Sequence, residues 1–176
     1  MVRVPRRPVP PLDPASLERL ALRYVERFAT TRSRLTDYLV RKIRMRGWEG
    51  DSPDPAALAE RLAELGYIDD RAYGEAKAGA MARRGLGARR VVGALRQDGI
   101  KGEDADAIAP QVEERALDAA VAFARRKRIG PFAETPADRP LREKQIAAML
   151  RAGHSPTLAR RVASMAPGEE INDPDG

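Results

Sequence analysis

The sequence predicts an all-α fold: three tandem three-helix repeats forming an elongated, curved rod. Three observations lead there. Apolar residues recur at i, i+3, i+4 and i+7 along most of the chain, the spacing of one buried helix face. Strict apolar/polar alternation is absent and β-branched residues are sparse, while Ala, Leu, Arg and Glu, all good helix formers, dominate. Finally, three middle helices end in a glycine, Gly47, Gly99 and Gly153, spaced 52 and 54 residues apart. Each has an apolar residue four positions earlier (Ile43, Leu95, Met149) and a helix after it. One such ending occurs by chance. Three at near-constant spacing, with matching flanks, indicate a repeat whose small trios bury one another.

Taken in order, residues 1–14 hold five prolines, which fix φ and remove backbone donors, so an extended, mobile tail is expected. Leu17, Leu20, Ala21, Tyr24, Val25 and Phe28 form the first apolar face, with the three aromatic rings of Tyr24, Phe28 and the later Tyr38 expected in the core. Ser33 is available to cap a second helix carrying Leu35, Tyr38, Leu39 and Ile43, which Gly47 stops. Asp54-Pro55 reads as N-cap and first residue of a helix with Ala57, Leu58, Leu62 and Leu65, ended by Gly66. Asp69 or Asp70 caps a fourth, with Ala72, Tyr73, Ala76, Ala80 and Met81 inward. Gly85 and Gly87 break it before Val91, Val92 and Leu95, and that helix stops at Gly99. A short helix over 103–111 follows, then one marked by Leu117, Ala120, Val121 and Ala124. Residues 129–140, with three prolines, read as a loop. Leu141 to Ala152 is helical to Gly153, and Ser155-Pro156 opens the last helix with Leu158, Val162 and Met165 inward. Residues 167–176 form an acidic tail. The repeats are expected over about 15–66, 67–111 and 112–166, together a helical domain over 15–166.

Composition excludes several classes of function. The 176 residues contain no cysteine and one histidine, His154. Disulfides, iron–sulfur clusters, thiolate zinc sites and a two-histidine relay are therefore out. No apolar run reaches the roughly 20 residues that span a bilayer, and the basic N-terminus lacks the apolar stretch of a secretory signal. A reducing cytosol is the expected location. Asp69-Asp70 is read as a cap beside a helix dipole rather than a metal site. Gly85-Leu86-Gly87 lacks the Gly-Lys-Ser/Thr of a phosphate loop and is read as a helix–helix turn. Trp48 either fills a gap between repeats or lies exposed, and its indole N–H needs a partner if buried. With no Ser/His/Asp set and no paired carboxylates in a plausible pocket, neither an enzyme nor a cofactor is expected.

Charge is segregated by sign, within a net +6. Residues 32–46 hold six bases against one acid, a net +5, and residues 49–76 hold eight acids against two bases, a net −6. Residues 83–101 again hold six bases and one acid, and residues 102–118 six acids and one base. Both basic blocks surround the middle helix of their repeat. Arg34 and Arg41, like Arg89 and Arg96, are seven apart and share a helical stripe. A solvated helix face explains any single one of these arginines. The paired pattern, which adds self-repulsion without helping the fold, favours contact with nucleic-acid phosphate or acidic protein, for which the guanidinium fork is suited. The candidate contacts are Arg34, Arg41, Lys42, Arg44, Arg83, Arg84, Arg89, Arg90 and Arg96. Base stacking is not expected to dominate, because the few rings are assigned to the core.

At this point the residues resemble a family. The run from Arg32 to Ile43, the junction Leu65-Gly66-Tyr67-Ile68-Asp69-Asp70-Arg71-Ala72-Tyr73, and the runs Arg83 to Val91 and Leu95 to Ile100 look like successive signatures of the bacterial RecX regulatory proteins. They cover about residues 20–101, and Ala147 to Val162 is similar to the closing helix pair. Ala88 stands where the family usually has proline, and His154 where an aromatic is usual. The resemblance implies three tandem three-helix repeats and a monomer with no small-molecule substrate and no membrane. It implies a partner, the RecA recombinase filament on single-stranded DNA, whose strand exchange, ATP hydrolysis and co-protease activity it modulates, usually by inhibition. DNA repair, homologous recombination and the SOS response are the implied setting. The alternatives are a direct DNA-binding helical regulator, with Arg3, Arg6 and Arg7 as a backbone-contacting arm, and a helical scaffold unconnected with nucleic acid.

Overall fold

The computed structural model describes residues 10–172. Among them lie nine α-helices: α1 (Pro14–Arg27), α2 (Arg32–Arg46), α3 (Pro55–Glu64), α4 (Asp70–Arg83), α5 (Ala88–Gln97), α6 (Glu103–Glu114), α7 (Ala116–Lys127), α8 (Arg139–Arg151) and α9 (Pro156–Ser164). The described residues form no strand; the β-type pairing is an isolated parallel bridge between Leu12 and Trp48. The fold is all-α. The chain separates into two compact units, one ending at Tyr73 and one beginning at Gly74.

Six helices start on a side-chain oxygen that accepts an otherwise orphaned backbone N–H. Asp13 takes the N–H of Ser16, Asp54 that of Ala57, Asp69 that of Ala72, Asp138 that of Leu141 and Ser155 that of Leu158. For α2 the cap is Thr31, which accepts from Arg34 N at 3.2 Å, and not Ser33. Thr31 is fully buried with its hydroxyl already aligned, whereas Ser33 lies a residue inside the helix. The glycine endings hold: Gly47, Gly99 and Gly153 have φ of 84°, 82° and 96°. At the last two, the following N–H reaches back to the last turn, Ile100 to Leu95 O at 3.0 Å and His154 to Met149 O at 3.1 Å, the same terminal motif twice.

In the first unit Leu17 and Ala21 of α1, Leu35 and Leu39 of α2, Ala59 and Leu62 of α3, and Ile68 share one core. Leu12 joins it, fully buried, with its N–H on Gly47 O and its C=O on the N–H of Glu49. The expected tail over 1–14 is therefore corrected at its end: Leu12 is bonded to residues 47 and 49, Asp13 caps α1, Pro14 is the first residue of α1, and Arg46 donates to Pro10 O. Residues 1–9, with Arg3, Arg6 and Arg7, and residues 173–176 lie outside the described residues. The part of the acidic tail that is described is also tied down, by Gly168 N on Pro131 O at 2.9 Å. Trp48 is half-buried against the first core and donates its indole N–H to Asp51 O.

In the second unit Ala120, Phe123 and Ala124 of α7, Ile129 just after it, Met149 and Ala152 at the end of α8, and Ala159, Val162 and Ala163 of α9 form a core. The loop after α7 contains a 3₁₀ turn, Gly130–Phe132, lying against α9. The expected inward face of α4 is wrong by about half a turn. Ala72 and Ala76 are exposed, and the buried positions are Gly74, Ala78, Gly79 and Ala82. Apolar periodicity cannot see this face because two of its members are glycines. A Cβ on Gly74 would come within 2.4 Å of Ile108 Cδ1 and 2.9 Å of Ile100 Cδ1, so the missing side chain is what admits the two isoleucines.

Candidate functional site

On α2, Leu35 and Leu39 face the core, and the opposite side carries Arg34, Arg41 and Arg44, all exposed. Lys42 is half-buried and extends over the Tyr38 ring, 5.4 Å from its centroid. Arg34 donates to Tyr73 Oη at 2.9 Å. The other two bases of this block are structural. Arg32 places Nε on Asp70 at 3.1 Å and Nη1 on Glu60 at 3.1 Å, and its backbone N–H also goes to Asp70. The hydrogen bond to Asp70, opposed by burial, raises the Arg32 guanidinium further above its usual pKa. Arg46 is held by Pro10 O.

On α5, Val91 and Leu95 are buried, and Arg89 and Arg96 project from the far side with Gly93 a turn apart between them. Arg83, Arg84 and Arg90 are exposed as well. The main chain of Arg89 is fixed, together with that of Gly87. Gly87 N donates to Ala152 O at 2.9 Å and Arg89 N to Gly153 O at 3.1 Å, so the start of α5 is bonded to the end of α8. A Cβ on Gly87 would lie 2.3 Å from Gly153 C, and one on Gly153 would lie 2.6 Å from Arg90 N. Glycine at both positions is what lets the backbones touch. The predicted surface arginines thus fall into two groups, α2 in the first unit and the α4–α5 turn in the second, each on the solvent side of its helix.

His154 closes the same junction. It is 1% exposed, with Nε2 donating to Gly85 O at 3.1 Å and its ring edge-on to Phe123 at 5.4 Å. Nδ1 has no partner. Burial lowers the His154 pKa from its usual value, partly offset by the Gly85 carbonyl. A neutral, structural histidine fits this environment; a base or ligand does not.

Sequence reasoning missed two features. Phe28, expected in the core, is 50% exposed. It continues a ring ladder in which Tyr24 and Tyr38, half-buried against the first core as expected, stack at 4.3 Å and Tyr24 meets Phe28 at 5.2 Å, with Arg27 and Lys42 at the two ends. Phe28 is the C-cap of α1, past the last helical turn, so the periodicity that marked it as core no longer applies. The second is Arg115, whose guanidinium lies against Gly79. Its signal was its isolation, the one base in the acidic block 102–118. Among the described residues no group of His, Cys, Asp and Glu could hold a metal ion, and no helix is long and apolar enough to cross a membrane.

Comparison with known proteins gives a consistent picture. The chain is 34% identical over 177 residues to the regulatory protein RecX of Myxococcus xanthus, covering 94% of this chain and 92% of that protein. In fold it is similar to the crystal structure of RecX from Lactobacillus salivarius, with a TM-score of 0.65 and 19% identity, covering 84% of this chain and 92% of the other. A second crystal structure, of a regulatory protein RecX, gives a TM-score of 0.59 at 22% identity over 84% of this chain and 72% of the other. No family model matches the sequence.

Proposed function

The chain belongs to the RecX family of regulatory proteins, and from that premise we propose that it binds the RecA recombinase filament on single-stranded DNA and inhibits its recombinase, ATPase and co-protease activities. Its own role involves no chemistry. The relationship along nearly the whole chain carries this reading. The basic side chains supply the contacts: Arg34, Arg41, Lys42 and Arg44 from α2, and Arg83, Arg84, Arg89, Arg90 and Arg96 from the α4–α5 region. They meet acidic protein surface or exposed DNA phosphate. The domain over 15–166 is read as three repeats, 15–66, 67–111 and 112–166, and contacts from several repeats raise avidity. Such a ligand inhibits only by binding one filament arrangement better than another.

The test is RecA ATP hydrolysis on single-stranded DNA with the Arg89→Glu/Arg96→Glu variant. Both side chains leave the helix on the side away from Val91 and Leu95, so helicity is retained. Loss of inhibition is expected. Full inhibition by the folded double variant would remove the α5 stripe from the interface.

The ring ladder of Tyr24, Phe28 and Tyr38 favours a second reading, direct binding of DNA, because an exposed ring flanked by cations can stack a base. The two readings separate on bare DNA. A direct binder holds it with an affinity that falls steeply with salt, whereas a filament regulator binds it weakly and the RecA filament strongly.

A further inference from the structure

Where the packed face of α4 meets the α6–α7 corner, two guanidiniums converge on a buried glycine. An ideal Cβ on Gly79 would lie 2.5 Å from Arg115 Nη1 and 3.3 Å from Arg83 Nη1. The two positive groups therefore approach one point from different elements. Neither side chain forms an ion pair or hydrogen bond among the described residues. They stand at a recess of about 270 Å³ whose remaining walls are Ala82, Asp118 and Ala122. Small residues on α4 and α7 make the space, and Gly79 lets the Arg115 guanidinium lie against the helix. Two like charges held close, neither of them bonded to the Asp118 carboxylate in the wall, oppose folding, which makes an anion the natural occupant.

We propose that Arg83 and Arg115 over Gly79 form a binding site for a phosphate group. The approach from two directions selects phosphate over carboxylate. A tetrahedral phosphate offers more oxygens, in more directions and with more charge, to two forks than a planar carboxylate does. Asp118 in the wall reduces the local charge to a net +1. Binding is accordingly modest and salt-sensitive, suited to one phosphate held reversibly or to one link in a chain of them. The site shares Arg83 with the contacts proposed above, but through Arg115 and Gly79 it goes beyond the RecA reading and does not rest on it.

The experiment is ³¹P NMR of inorganic phosphate titrated with the full-length protein at constant ionic strength, with acetate as competitor. A saturable line-broadening that acetate does not displace is expected. Arg115→Gln and Arg83→Gln each weaken it about tenfold, the loss for one hydrogen-bonded charge. Gly79→Ala keeps every charge and improves helix propensity, yet its methyl displaces the Arg115 guanidinium. It is expected to weaken phosphate binding with circular dichroism and Tm retained. Displacement of phosphate by oligodeoxythymidylate, lost in Arg115→Gln, identifies a nucleic-acid backbone as the source. No displacement identifies free phosphate or a mononucleotide. The proposal is overturned by absence of saturable broadening, by equal competition from acetate, or by Arg115→Gln and Gly79→Ala behaving as wild type. RecA inhibition assayed in phosphate-free buffer reports separately on the RecA reading.

Discussion

Acidification should loosen the second unit through one residue. His154 is the sole histidine in the chain, so between pH 7 and 5.5 it is the side chain whose ordinary pKa falls in range. In the folded protein its ring is buried, Nε2 is committed to Gly85 O, and Nδ1 has no acceptor to receive a second proton. Its folded pKa is lowered, so the unfolded chain binds the proton more tightly. The His154 contribution is complete above about pH 6.5 and is lost as pH falls through that value toward the folded pKa. The slope there reaches at most about 1.4 kcal/mol per pH unit. For a chain of this size each kcal/mol shifts Tm by about 2–4 °C. Denaturation followed by far-UV circular dichroism at pH 7.5, 6.5 and 5.5 measures it. His154→Phe is the control. It keeps an aromatic edge toward Phe123 and gives up one hydrogen bond, about 1 kcal/mol, partly repaid by removing the orphaned nitrogen. Its stability should be flat over the same range. A wild-type protein equally stable at pH 7.5 and 5.5, or a variant with the same slope, would refute the reasoning.

Three further outcomes follow from the geometry. Gly74→Ala should destabilise despite the roughly 1 kcal/mol that alanine gains in a helix, because the methyl would sit 2.4 Å from Ile108 Cδ1 and 2.9 Å from Ile100 Cδ1, and forcing both buried side chains aside costs about 1–3 kcal/mol. Gly93→Ala, on the open side of α5 with nothing within 4 Å, should instead gain up to about 1 kcal/mol, and thermal melts of the pair give opposite signs. Asp70→Ala removes the acceptor shared by the Arg32 backbone and side chain, at a cost of roughly 1–3 kcal/mol after allowing for the half-exposed guanidinium, read from a melt followed by Trp48 fluorescence.

Much of this molecule can be read from residues that punctuate helices. Asp54-Pro55 and Ser155-Pro156 start helices, and Gly47, Gly99 and Gly153 end them, because caps and left-handed turns are local chemistry that a few neighbouring residues determine. The exposure of the arginines on α2 and α5 follows from the apolar residues on the other face. What the sequence conceals depends on partners distant along the chain. Gly74 and Gly79 belong to a packed face but carry no apolar side chain to announce it. Leu12 lies in a proline-rich stretch that reads as loose, yet it is pinned by the main chain of residues 47 and 49. Arg115 sits in an acidic block and acquires meaning from the glycine it covers. Phe28 satisfies the helical spacing of α1 but falls where the helix has already ended.

The junction of α5 with α8 has a mechanical consequence. Its rungs, Gly87 N to Ala152 O and Arg89 N to Gly153 O, are formed by peptide groups alone. A seam sewn with peptide groups does not register what the neighbouring side chains are. Surface residues on both helices can be exchanged wholesale, to suit a different docking partner, while the angle at which the two helices are fastened stays put. The scaffold's alignment and its outward chemistry are thereby free to drift independently, with two achiral residues guarding the former.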